Sequence, residues 1–366
     1  MIRIRALAAL TAVSLLPATT AGAQERFTLS GQDVSVYNLA GALRIVAGTG
    51  GSTEVEVTRV GRDSRALRIS TDAPSSLRVI YPWDEIRYPG MGRASQSTLS
   101  VSDDGTFGGS RSGRSVRISG SDRAGPGAME AGADIVIRLQ PGARLTARTG
   151  IGDTQIQNVG GSLNVGNTAG DITSTGTRGE LTLRTASGGI EVADAEGTIT
   201  VRTASGGVDV ENARGTAVTV KVASGRITAR DVRATAVELE TASGGIRVDG
   251  VESDRVQLYS ASGGITARRV TAPDAQVRTA SGSLDLELSG PVRSAELRSA
   301  SGSVRLSLPQ SSNVALELSS SSGGVQLDAP AQIVESRRGY TSATLGSGSG
   351  RVSARSSSGS VRVTTR

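Results

Sequence analysis

The reactive group repeated most often in this chain is a serine hydroxyl within one phrase, Ser-Gly flanked by small residues. It stands at Ser187, Ser205, Ser224, Ser243, Ser262, Ser281, Ser301, Ser322 and Ser358. A serine nucleophile needs a base to take its proton, and the chain has no histidine. Cysteine is absent as well, which removes Ser-His-Asp and Cys-His catalysis and the usual zinc sites. Nine equivalent copies describe architecture, and the expectation is a protein without catalytic residues, cofactor or metal. The calcium-binding nonapeptide GGxGxD does not occur.

Two other groups of residues could bind something. Three residues before each corner serine lies an outward position, occupied by Arg184, Arg202, Lys221, Glu240, Tyr259, Arg278 and Arg298. Stacking would place Arg184, Arg202 and Lys221 in one column of like charge, which repels. One reading is a solvated face relieved by acidic neighbours such as Glu191 and Asp209. The other is a strip for an anionic polymer, an acidic glycan or lipopolysaccharide. The second group is YPWDEIRY (81–88), where Trp83 could stack on a sugar while Arg87 hydrogen-bonds it. That segment reads equally as a hydrophobic anchor pinning a loop. The acidic turn at Asp103, Asp104 and Gly105 is a common surface feature.

These side chains must be held by a repeat. The Ser-Gly corners follow one another at 18, 19, 19, 19, 19, 20 and 21 residues, and the last lies 36 further on. If 36 is two turns of 18, a missing copy puts Tyr340 at the serine position. Six and four residues before each serine are apolar pairs such as Leu181/Leu183 and Val256/Leu258. Three and five residues after it are others, such as Ile190/Val192 and Val325/Leu327. Spacing of two is a short strand with one buried face. Each turn therefore holds two short strands and two bends, Ser-Gly being one bend. Stacked turns, about 4.8 Å apart, would let one corner serine bond the next. The predicted fold is all-β, a parallel β-solenoid (β-helix) of about 18–21 residues per turn over 145–366.

Ahead of it, 24–144 reads as a β-rich opening of the same stack, interrupted by a long, partly disordered loop insertion at about 84–132. Residues 1–23 read as a signal peptide: Arg3 and Arg5, the apolar run at 6–18, then Ala21-Gly22-Ala23 with cleavage between Ala23 and Gln24. The run is too short for a membrane span, and no later stretch is apolar enough for one. With no cysteine, neither disulfides nor a lipid attachment site are available. The mature chain is expected in the periplasm, at the cell surface or outside the cell. Net charge is +6, mild for 366 residues, and does not mark a nucleic-acid binder. Aromatics at 2% leave few platforms for a sugar-processing cleft.

The NLAGALRI opening, the VIYP strand, the stretch RLQPGARLTARTGIGDTQIQNVGGSLNV and the Gly-Asp-Ile and Ser-Gly-Gly-Ile turns together resemble the bacterial putative adhesin family, the domain of unknown function numbered 4097. The resemblance covers most of 34–366. It implies an exported β-solenoid with an adhesin role and supplies no active-site residues. Three functions follow as expectations. The leading one is a non-enzymatic envelope-binding scaffold. The others are a polysaccharide-active β-helix enzyme and a structural protein that self-associates end to end.

Overall fold

The computed structural model describes residues 24–108 and 113–366; the expected signal peptide, including Ala23, lies outside them. The fold is the expected all-β solenoid. Strand Arg178–Ser187 pairs in parallel with Glu196–Ser205, residue for residue, Leu181 opposite Ile199 and Ser187 opposite Ser205. Alternation decides which face is buried: Leu181, Leu183, Ile199 and Val201 are at most 2% exposed, and their neighbours point outward. A step of 19 residues first appears where Thr198 meets Ala217, and a bulge at Thr216 absorbs the extra residue.

The Ser-Gly corner is built by close approach of backbones. Twelve glycines, from Gly41 through Gly244 to Gly323, stack so that a Cβ on each would lie 1.8–2.4 Å from a main-chain oxygen of the coil below. The corner serines themselves are exposed. The expected serine-to-serine bond is replaced by one from the residue two earlier, which points inward. Thr241 Oγ1 donates to Gly225 O at 3.1 Å, and Ser260 Oγ to Gly244 O at 2.9 Å. Alternation is the reason, because the serine lies past the last inward position. The serine main chain still carries the ladder, as where Gly225 N donates to Ser243 O. Thr241→Val should therefore cost about 0.5–1.5 kcal/mol, the net worth of one hydrogen bond, and Ser243→Ala close to nothing. Chemical denaturation of the two variants checks this ordering. Val222, which occupies the equivalent site in its own coil, shows that the loss is tolerable.

Seven residues after each corner lies the second bend. Asn158, Asp194, Asn212, Asp231 and Arg269 there have φ of 49–54°, and Gly176 and Gly250 are also left-handed. Gly, Asn and Asp are the residues that accept this conformation. Arg269 is the departure, and its guanidinium is held by Asp249 at 2.7 Å.

The first end of the stack is covered, and the other is covered over one of its two strands. At the first end, Asp33–Ala40 and Leu43–Ala47 lie on Arg144–Ile151 and Thr154–Gln157. Beyond them, Thr53–Val60 runs antiparallel to Gln24–Leu29 and to Gly132–Leu139. The segment expected as an irregular insertion is a folded sheet of its own, made by Glu85–Arg87, Gln96–Val101, Arg114–Ser119 and Met129–Glu130. Ile86, Val116 and Ile118 are wholly buried there. Its apolar residues are spaced two apart but diluted by Gly, Ser and Arg, so the pattern was hidden by composition.

The other end departs from chain order. Coil 294–308 does not receive 314–328. Instead Gly350–Ser356 and Val361–Thr365 lie between them, pairing in parallel with Ser294–Ser299 and Val304–Leu308 on one side. On the other side they pair with Val314–Ser320 and Val325–Asp328. Tyr340 does not occupy a corner. Tyr340–Leu345 forms a hairpin with Gln332–Arg337 and runs antiparallel to Val314–Ser320, covering the end. The interval of 36 equals two periods, but the chain spends it on this hairpin.

Candidate binding strip along the solenoid

The outward positions three before the corner do form one column. Arg184 is the register partner of Arg202, Arg202 of Lys221, and Lys221 of Glu240. The column continues through Tyr259, Arg278 and Arg298 to Arg355 of the inserted coil. In the other direction, beyond Gly166, it reaches Arg148. Cations at these positions are thus more numerous than Arg184, Arg202 and Lys221 alone. Arg148 and Arg355 were readable by the same count from the corner.

The charges are not relieved as expected. Glu191 and Asp209 pair with one another's strand on the far side of the corner. Relief comes instead to Lys221, whose Nζ lies 2.7 Å from Glu238 and 3.0 Å from Glu240. Glu238 first, then Glu240, raise its pKa above the ordinary lysine value. Glu296 takes both Arg278 at 2.8 Å and Arg298 at 2.5 Å, and Glu317 takes Arg355 at 3.0 Å. Arg184 and Arg202 are exposed and make no ion pair among the described residues. Arg148 is half-buried over Gly166, its guanidinium on Asn164. Burial lowers its pKa, and Arg184 adds to the lowering.

Alongside the far half of the column runs an open groove of about 740 Å³. Tyr259, Arg278, Arg298 and Arg355 line it together with Ala261 and Ala280, which sit just before the corner serine. The small corner residues that keep the coils tight also keep this groove unobstructed.

The Trp83 segment is positioned differently. Trp83 is half-buried against the main core, and the adjacent Tyr81 is fully buried with its hydroxyl 2.8 Å from Asn38 Oδ1 and from Ala40 O. Burial pushes the Tyr81 pKa upward. Arg87 is bound to Glu130, and Asp84 to Arg114 at 2.5 Å. Asp104 caps its own turn on Thr106 and holds Arg78 at 3.1 Å. Trp83 and Arg87 hold no register position in the cationic column, which runs on from Arg148 to Tyr37 and Arg78.

Residues 193–364 match the family model described as Toastrack DUF4097. Over that stretch the repetitive part of the chain is similar to the DUF4097 family. The match begins at the second bend of one coil and runs through the end hairpin into the inserted coil, so it includes the whole groove. No curated protein matches the chain. Among solved structures, a putative cell adhesion protein from Clostridium sporogenes ATCC 15579 aligns over 94% of this chain and 99% of that one. Identity is 8% and the TM-score 0.19, too loose a likeness to bear weight.

Proposed function

We propose that this protein is an exported, non-enzymatic binding scaffold whose ligand is an anionic envelope polymer lying along the column. The supporting observation is the stacked run of outward side chains in which Arg184 and Arg202 have no ion-pair partner among the described residues. Repetition at about 4.8 Å steps suits an extended polymer better than a small molecule. Acid–base chemistry on a polysaccharide is disfavoured by the carboxylates near the groove. Glu240 is engaged by Lys221, and Glu296 by Arg278 and Arg298. Burial raises the Glu296 pKa, but hydrogen bonds from Gln276 and Arg278 outweigh it and leave the carboxyl below its ordinary value. A general acid needs the opposite shift.

Binding of the mature protein to acidic glycans and lipopolysaccharide, at low and high salt, tests the proposal. Affinity should fall as salt rises, because exposed charges are screened within about 8–10 Å. Replacing Arg184, Arg202 and Lys221 together with Gln should weaken binding about tenfold, taking roughly 0.5 kcal/mol for each exposed charge. Salt-independent binding, or a variant that binds as well as the wild type, removes the column as the site.

Export is proposed on the same footing, from the basic start, the apolar run and the small residues before Gln24. N-terminal sequencing of the native protein should begin at or near Gln24; an intact Met1 would contradict it.

A further inference from the structure

The final coil, 350–366, enters the stack out of chain order, and its contacts are those of a bound ligand. Among the described residues its strands pair only with coils 294–308 and 314–328, which flank it. Val352, Ala354, Val361 and Val363 are wholly buried in that slot. Gly359 completes the glycine column, its Cβ position 2.2 Å from Gly302 O, and Gly323 in turn lies over Gly359. Ser356 Oγ donates to Gly302 O at 2.8 Å, and Ser320 Oγ to Gly359 O at 2.7 Å. None of these bonds depends on the segment that tethers the coil to the end hairpin. That tether is Gly346-Ser347-Gly348-Ser349, with Gly346 and Gly348 at positive φ.

We propose that coil 350–366 is exchangeable, and that the partner fitting its slot is the same coil of a second copy of this chain. A donated coil makes the same ladders and buries the same four side chains, so the closed and exchanged forms differ only in the tether. Exchange of an identical element across a hinge is a low-cost route to a dimer. Chain order favours it during folding. Coil 314–328 is made before 350–366, so the slot must be open when the last coil arrives, and a neighbouring chain's coil competes for it. The proposal does not depend on what the column binds.

The chain has no cysteine, which permits a direct test on full-length protein. Arg298 and Arg355 are register partners on adjacent parallel strands, at a separation of about 4.8 Å that suits a disulfide. Chains carrying Arg298→Cys are mixed with chains of different mass carrying Arg355→Cys, partly unfolded in denaturant, refolded and oxidised. The double variant Arg298→Cys/Arg355→Cys is oxidised alone. Exchange gives a covalent heterodimer in several-fold excess over a control mixture of Arg184→Cys and Arg355→Cys. If the mixture gives no more heterodimer than the control while the double variant closes within one chain, the coil stays in its own slot and the proposal fails. If the double variant does not close either, the coil is not seated between these strands, and the proposal fails for that reason.

Discussion

Gly244→Val lowers stability by about 2–6 kcal/mol, combining roughly 1–3 for backbone strain with 1–3 for overpacking. At Gly244 the added Cβ would lie 2.0 Å from Gly225 O, with φ at +153°. The obstacle is main chain, which cannot rotate away, so two coils must separate at their corner. The separation also lengthens the bond from Thr241 to Gly225 O. Chemical denaturation measures the loss, and an unchanged midpoint would show that the corner is not a backbone contact. Ser243→Ala, one residue away, is the control that leaves the contact intact.

Leu258→Ala should cost about 2–5 kcal/mol, the usual range for deleting a buried leucine side chain. Leu258 is fully buried in the middle of the stack, its coil covered on both sides. Leu327→Ala should cost much less, below about 1.5 kcal/mol, because part of the leucine's transfer free energy of roughly 1.5–3 is never gained. Leu327 is only partly buried, and its strand Val325–Asp328 pairs on one side alone, with Val361–Thr365. Denaturation midpoints for the two variants separate the cases; equal losses would mean that the last coil is covered by something else.

These two leucines show how far the pattern could be read. Leu258 stands four residues before its corner serine and Leu327 five after, both at apolar positions of the repeat, and nothing local says that only one is fully buried. The exposure of Leu327 follows from where its coil ends up. The same holds for the column. Its inward–outward alternation places Arg184 beside Arg202 from spacing alone. Which carboxylates would meet it was misjudged, because Glu191 and Asp209 are close in sequence but belong to the strand beyond the corner. Glu238 and Glu240 reach Lys221 from the next coil. The sheet at 85–130 was obscured for a different reason, since short strands in Gly- and Ser-rich sequence give few apolar positions to count.

The sequence by itself determined the period, the parallel stacking, the buried pairs and the glycine corner, because each is a local requirement repeated at a fixed interval. Only the tertiary structure decided the order of the last three coils, how far each end is covered, the threonine bond that replaces the expected serine bond, and the partners of the column's charges. The physical reason lies in the equivalence of the repeats. Every coil offers the same ladder of donors and acceptors and the same apolar rim, so any coil can stack on any other. A period measured along the chain says how long each coil is; which coil lies beside it is settled by how the chain crosses from one to the next.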